Sequence, residues 1–317
     1  MAEQPERRRC AVIYNPTRVS EEFRTNVSRR LDPTAWEQPI WLETTAEDPG
    51  HSMAASAVEA GVDLVIGAGG DGTIRIVADG LANSGIPMGI VPAGTANLLA
   101  HSLDLPMKEP DAIDVALQMH TRAIDMIKLT VDDQASEHFA VAAGTGMDAM
   151  IMDETNEDLK KVIGPGAYFL AAAKALGRLP IDMTITLDDG RPRRRRAMIC
   201  VIANVGTLTG GITLLPLAKA DDGRLDVYVA SPHRFTHWVR VLIRLITFRR
   251  RSDDRVDEWQ GSRVQVQLSH PDAYQLDGDV AEGECRTLDA EVAPQALVVC
   301  VTPEEGLASA AGPDQRT

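Results

Sequence analysis

The sequence predicts an α/β N-terminal domain with a doubly wound, mostly parallel sheet. It then predicts a C-terminal antiparallel β-sandwich domain with inserted helices. Three observations carry this. Up to about residue 123, short β-branched apolar runs alternate with stretches of helical periodicity, the order of a parallel sheet with crossover helices. Beyond it, alternating strands follow one another without regular helices between them. Glycine-rich turns fall at the C-terminal ends of first-half strands, where open α/β sheets bind ligands.

Taken in order, residues 1–8 are polar and expected to fray. Arg9–Tyr14 reads as the first strand, and Asn15-Pro16-Thr17 as a turn at its end. Ser20–Leu31 is a predicted helix with Ser20 as N-cap and Glu21 and Glu22 in the first turn. Pro39–Glu43 is a strand ending at Thr44-Thr45, and Pro49-Gly50-His51 leads into a small-residue helix, Ser52–Ala60. Val62–Ile66 is the next strand, and Ile74, Val77, Ala78 and Leu81 space out the helix Ile74–Leu81. Met88–Val91 is a strand that ends in the turn Pro92–Asn97. A helix then runs to His101, and another covers Asp111–Met119.

The second half shows strands at Ala123–Thr130, His138–Ala143, Asp182–Leu187, Ala197–Asn204, Arg224–Ala230 and Arg263–Leu268, with Asp188-Asp189-Gly190 as a turn. Leu159–Leu179, which follows Gly144–Ala149, and Thr236–Arg251 read as inserted helices. The expected domains are 1–123, 124–303 and a disordered tail, 304–317.

The 317 residues carry a formal net charge of −14, which argues against general affinity for nucleic acid and against long-range attraction to anionic lipid. Cys10, Cys200, Cys285 and Cys300 share no metal-ligand spacing and read as buried reduced thiols, which suits a cytoplasmic setting. Neither a secretory signal nor an apolar run of membrane-spanning length is evident.

Gly67, Gly69, Gly70 and Gly72 crowd around Asp71 between a strand and a helix. Three readings stand. One is a tight connection that needs positive φ. Another is a dinucleotide turn, since Gly67, Gly69 and Gly72 meet G-x-G-x-x-G, although Asp71 would repel a pyrophosphate unless a metal intervened. The third is a nucleoside triphosphate site with Mg²⁺, Asp71 facing the metal-bound phosphates.

GGDGT at Gly69–Thr73, GIVPAGTAN at Gly89–Asn97 and LDLP at Leu103–Pro106 together resemble the diacylglycerol kinase catalytic family, which includes bacterial lipid kinases and sphingosine kinases. GGDG alone is shared with NAD kinases and phosphofructokinases, whose first-domain fold the resemblance implies; the second block sets the lipid kinases apart. The likeness spans Asn15 to about Pro303 and implies the following. ATP would be held by Asn15, Pro16, Thr17, Thr45, Gly69, Gly70, Asp71, Gly72, Thr73, Thr95 and Asn97, with Asp277 and Gly278 matching a second-domain element. His51 reads as structural. Asp222, with the carbonyls of Lys219 and Arg224, would bind a structural Mg²⁺ through oxygen ligands. Asp279 stands where the family has a Glu acting as general base, one methylene shorter. Asp71 would act through Mg²⁺ or orient the acceptor hydroxyl. Arg75-Ile76 replaces the family's Asn-Glu, so one nucleotide-side or metal-side contact is expected to be lost.

The implied activity is ATP- and Mg²⁺-dependent phosphoryl transfer to a lipid hydroxyl, with diacylglycerol the leading acceptor and the two domains forming the walls of a cleft. An NAD kinase-like enzyme and a lipid- or nucleotide-binding regulator without turnover are the alternatives. The expected setting is cytoplasmic, peripheral to the inner face of the membrane, where the lipid substrate is met. No nucleic acid is expected, and a homodimer is allowed for. Three stretches bear on lipid contact, each with a plainer reading beside it. Thr236–Arg251 suits an interfacial helix or a packed one with snorkelling arginines. Arg191–Arg196 reads as a solvated loop or an anionic-leaflet contact. Ala167–Leu179 would line an acyl cleft or pack in a core.

Overall fold

A computed structural model describes residues 7–146, 180–208, 212–231 and 256–303. The expected helices at 159–179 and 236–251, the acyl-cleft segment 167–179, residues 147–149 and the tail 304–317 lie outside the described residues.

Two compact units are present, one built from Met1–Met126 with Pro294–Thr317, the other from Ile127–Ala293. In the first, β-branched apolar runs form β1 (Cys10–Tyr14), β2 (Ile40–Glu43), β3 (Leu64–Gly69) and β4 (Met88–Pro92). They pair in parallel in the order β2-β1-β3-β4. Crossovers are α1 (Phe23–Arg30), α2 (His51–Ala60) and α3 (Asp71–Leu81), with α4 (Leu98–Ser102) and α5 (Glu109–Gln118) after β4. The sheet is covered on both faces, as a doubly wound parallel sheet requires. Cys10, Val12 and Tyr14 face a core shared with Phe23 and Val27 of α1 and Ala112, Ile113 and Ala116 of α5. On the other helix pair, α2 and α3 pack together so closely that a Cβ at Gly80 would lie 2.4 Å from Ala54 Cβ.

Three local expectations change. Helix α1 begins at Phe23 with Glu22 at its cap, and Ser20 Oγ instead donates to Glu109, 2.9 Å away. Strand β3 runs through Gly67 to Gly69 and α3 starts at Asp71, so the glycine-rich turn shrinks to Gly70. Small residues belong in that strand because space is short: a Cβ at Gly67 would come within 2.8 Å of Met88.

The second unit is antiparallel. After β5 (Thr121–Val131) come β6 (Glu137–Phe139), β7 (Ala142–Thr145), β8 (Ile181–Leu187), β9 (Arg193–Ala197) and β10 (Ile199–Ala203). The short pair β11 (Thr207–Leu208) and β12 (Ile212–Thr213) precedes β13 (Leu225–Ala230), β14 (Val256–Gly261), β15 (Arg263–Leu276) and β16 (Asp279–Cys300). The order is β14-β13-β10-β7-β15-β16, with β8 beside β15, β9 beside β8, and β5 paired to β6 and β16. Alternate inward residues, among them Val227, Val229, Ile202, Val264, Val266, Ile185 and Leu288, form one core. Asp188-Asp189-Gly190 turns β8 into β9 as expected. The predicted loop Arg191–Arg196 is corrected: Arg193–Ala197 is a strand, because its backbone pairs antiparallel with β8 from Ile185↔Arg193 to Ile181↔Ala197. β14, the whole of β16 and the length of β15 go beyond the expected strands; a register shift between Gln267 and Asp272, with Pro271 in it, interrupts the alternation of β15. The expected strand His138–Ala143 is broken at Ala140-Val141.

All four cysteines are buried and unpaired with one another as disulfides, and burial pushes each thiol up to about 12, so they behave as small apolar groups. Among the described residues, no helix is long and apolar enough to cross a membrane.

Candidate functional site

In the first unit, the turns after β2, β1, β3 and β4 lie side by side along the C-terminal edge of the sheet. Backbone hydrogen bonds stitch them in that order. Thr44 N–H donates to Tyr14 O, Asn15 N–H to Ala68 O and Ala93 N–H to Gly69 O, at 2.9, 2.9 and 2.8 Å. The Asn15, Thr45, Gly69–Thr73 and Thr95–Asn97 stretches are thereby gathered on one edge, although up to some eighty residues separate them in sequence.

Each turn is set by its own chemistry. Asn15 Oδ1 accepts from Thr17 N (3.0 Å) and Thr17 Oγ1 (2.8 Å), an Asx turn that leaves Pro16 and Thr17 exposed. Thr45 N–H donates to Asp48 O, and Thr45 Oγ1 accepts from Asp48 N at 3.0 Å. Asp48 in turn accepts from Gly50 N (3.0 Å) at the start of α2, and its hydrogen bond with Ser52, first among several, holds its carboxyl below the usual range. His51 is exposed at the first position of α2.

The glycines of the central turn are not there for positive φ, since Gly69, Gly70 and Gly72 all lack it. They allow close approach. A Cβ at Gly69 would lie 2.7 Å from Thr73 Cβ, and one at Gly94 would lie 2.7 Å from Gly70 Cα and 2.9 Å from Asn97 Oδ1. The two turns therefore touch backbone to backbone at Gly70 and Gly94, a cradle that a side chain at Gly94 would fill. Gly94 was not singled out from sequence; its place in GIVPAGTAN was the available signal.

Asp71 locks the cradle. Its carboxylate accepts from Asn97 N (2.9 Å) and Leu98 N (2.5 Å), the N-terminal donors of α4. Asn97, at φ 47°, closes its own loop, accepting from Gly94 N (2.8 Å) and donating to Gly94 O (3.0 Å). The acid inside the Gly69–Thr73 turn thus has its charge offset by two backbone dipoles, which softens the objection it raised against an anion. Thr73 is buried, Gly72 half-buried and Thr95 exposed. Ile76 is buried, 7% exposed, with its Cγ2 the nearest atom to a Cβ at Gly50. Where the family has a polar residue, this chain uses the position for packing. The half-buried backbone at the start of α3, on the same sheet edge as Asn15, Thr17, Thr45 and Thr95, fits a triphosphate.

In the second unit, Asp277 and Gly278 form a two-residue hairpin turn with φ of 46° and 93°, the positive pair an Asp-Gly type I′ turn takes. Asp277 is buried. Its carboxylate accepts from Ala140 N (3.2 Å), Val141 N (2.9 Å) and Ala142 N (2.9 Å). Asn204 Nδ2 donates to Ala140 O at 3.0 Å. These bonds satisfy the break between β6 and β7. The Asp277 side chain holds its own unit together, a role the resemblance did not imply. Gly278 N–H donates to Gln275 Oε1 at 2.8 Å. Asp279, the first residue of β16, is exposed.

Asp222 is exposed and accepts from Arg224 N at 3.0 Å across Gly223, whose φ is 69°. Lys219 and Arg224 are exposed beside it. Asp226, two residues on, is buried, and its Oδ2 has no hydrogen-bond partner; burial first, then the charge of Asp222 among others, pushes its carboxyl up to about 6. Among the described residues, no group of three or more His, Cys, Asp or Glu side chains is gathered as for a metal. A single carboxylate with backbone carbonyls is still an oxygen-only set that fits a Mg²⁺ keeping most of its water. A hollow of about 690 Å³ lies elsewhere in this unit, lined by Lys128, Asp132, Arg263 and Asp289 among others, and includes none of the predicted residues.

Residues 9–129 match the family model of the diacylglycerol kinase catalytic domain, and residues 140–301 that of the YegS C-terminal NAD kinase beta sandwich-like domain. The chain is 31% identical over 238 residues to a diacylglycerol kinase of Mycobacterium tuberculosis, covering 74% of this chain and 76% of that one. It is 32% identical over 264 residues to a "Probable lipid kinase YegS-like" of Chromohalobacter salexigens, covering 82% of each. In fold it is similar to a crystal structure of a diacylglycerol kinase from Bacillus anthracis, with TM-score 0.69, 20% identity, 94% of this chain and 98% of that chain. It is also similar to an NAD kinase from Archaeoglobus fulgidus in complex with ATP, with TM-score 0.52, 12% identity, 96% of this chain and 97% of that chain. With an N-terminal match to the catalytic model and a C-terminal match to the sandwich model, this chain belongs to the diacylglycerol kinase catalytic domain family.

Proposed function

We propose that this protein is an ATP- and Mg²⁺-dependent lipid kinase that transfers the γ-phosphoryl group to a lipid hydroxyl, with diacylglycerol as acceptor and phosphatidic acid as product. The observation that carries the reading is the edge-on gathering of four turns around the Gly70–Gly94 contact, locked by Asp71. It supports a triphosphate site because backbone donors, small residues and a helix N-terminus converge there. Asp279 is the proposed general base. As the hydroxyl oxygen bonds to the γ-phosphorus and the bond to ADP breaks, its carboxylate takes the hydroxyl proton. The loop at Asp222, with the Lys219 and Arg224 carbonyls, would hold a structural Mg²⁺, and a Mg²⁺ on the phosphates would neutralise charge there. The chain's relatives are named for diacylglycerol and for lipid more broadly, and those names support diacylglycerol as the acceptor.

The test is a radiolabelled-ATP assay over diacylglycerol, a sphingoid base, a polyprenyl alcohol and NAD, with Asp279→Asn alongside. Labelled phosphatidic acid, lost in the variant, is the expected result. Label on NAD, or ATP binding without label on any acceptor, would overturn the lipid kinase reading.

A further inference from the structure

Residues 191–196 read RPRRRR, five arginines in six positions, in a chain with 46 acidic and 32 basic residues. In the structure, Arg193–Ala197 is the edge strand β9, paired among the described residues to β8 alone. The pleat sorts its arginines into two sets. Arg193 and Arg195 stand opposite Ile185 and Met183, which face the core. Their guanidinium groups lie over the ring of Trp259 at 5.0 and 5.4 Å, and Arg195 grips Asp257 through two bonds of 2.6 and 3.1 Å. Arg194 and Arg196 stand opposite Thr184 and Asp182 on the other face, and both are exposed, as is Arg191.

Arg193, itself exposed, and the half-buried Arg195 anchor the strand to β14, and the outward set is displayed on a strand so held. Charge on an edge strand guards against edge-to-edge pairing, but any charge would do that, and this chain is rich in acids. Arginine at each position points instead to phosphate, which its planar fork binds through two parallel hydrogen bonds. Asp182 is the one acidic side chain directly opposite the set. Because charges are screened beyond about 8–10 Å, three local cations attract an anionic surface despite the net charge of −14.

We propose that the outward face of β9 docks the protein on anionic lipid, with Arg191, Arg194 and Arg196 taking headgroup phosphate oxygens; the choice of membrane over other polyanions rests on the lipid kinase reading. The test is co-sedimentation of the full chain with phosphatidylcholine vesicles, with and without phosphatidylglycerol, at low and high salt. Wild type should favour the anionic vesicles and lose binding as salt rises. R191Q/R194Q/R196Q should partition roughly a hundredfold less, at about a factor of five per basic residue, with its melting temperature unchanged. Asp182→Asn should bind about fivefold more, a gain that misfolding does not mimic.

Equal binding of wild type and the triple variant, or no preference for anionic vesicles, would overturn the proposal. So would a triple variant that loses affinity for an oligonucleotide alone. The two readings separate cleanly. On diacylglycerol in neutral detergent micelles, the triple variant should turn over like wild type. Arginine-dependent vesicle binding without phosphorylation of any lipid would sink the kinase reading and leave this one standing.

Discussion

Asp277 and Asp279 are two carboxylates two residues apart with opposite surroundings, one buried against three backbone N–H groups, the other exposed at the head of a strand. The sequence shows an Asp-Gly-Asp turn, and the hairpin is legible from it. The partners of Asp277 are not, because they lie 135 or more residues away and short-range pattern carries no such pairing. The difference predicts a split. Asp277→Asn replaces an acceptor-only group with one whose NH₂ meets a backbone donor; it should cost about 3 kcal/mol of stability, read from urea denaturation. Asp279→Asn should leave that transition in place and lower phosphoryl transfer a hundredfold or more. A folded, stable Asp279→Asn protein with full turnover would remove it as base. Asp71 belongs with the first kind as much as the second. Asp71→Asn should both lower the melting temperature and weaken ATP binding, since the same carboxylate that stands in the proposed triphosphate site caps α4.

At the scale of elements, the strand-helix order of the first unit was readable because burial imposes periods of 2 and 3.6. The reason for its glycines was not. Neither Gly70 nor Gly94 has an unusual φ; Gly94 is a glycine because two turns separated by some twenty residues come into contact, whereas a Cβ at Gly70 would meet Gly94 Cα at an ordinary 3.5 Å. Gly94→Ala puts a methyl 2.7 Å from Gly70 Cα, which is backbone and has little room to yield. ATP affinity, read by nucleotide titration, should fall at least tenfold, while Thr95→Ala, exposed and clear of the contact, should do less. The β8–β9 turn gives a pH test. Asp188 accepts from Ser262 Oγ (2.8 Å), Ser262 N (2.8 Å) and Arg263 N (3.0 Å), and these bonds, the Ser262 hydroxyl first, lower its pKa from 3.8. A lowered native value means stability that is fully present above 3.8 and lost as pH falls through the native value. Asp188→Ala should therefore lower the urea midpoint at neutral pH, and the gap to wild type should narrow well below pH 3.8. A gap independent of pH would show that the side chain acts through packing alone.

At the scale of the whole molecule, the chain ends of the first unit were the least legible feature. Residues 294–301 read from sequence as the close of the second domain, because nothing local says where an apolar run will pair. In the structure, Val299 pairs with Met88 of β4, in parallel. Asn83 N–H donates to Ala296 O at 2.7 Å, Gln295 N–H to Asp125 Oδ1 at 2.8 Å and Val301 N–H to His120 O at 2.8 Å. Leu297, Val299, Cys300 and Val301 are each 1% exposed or less. At about 2 kcal/mol for each large apolar side chain buried, this strand contributes on the order of 6–8 kcal/mol, comparable with the whole stability of a typical domain. Residues 1–126 alone should therefore fail to show a cooperative unfolding transition. The same fragment joined to 294–303 through a flexible linker should regain one, along with slow amide exchange across β3 and β4. A cooperative transition in 1–126 alone, as sharp as the linked fragment's, would show the returning strand to be dispensable. Failure of the linked fragment as well would mean that the first unit needs more of the chain than its own strands.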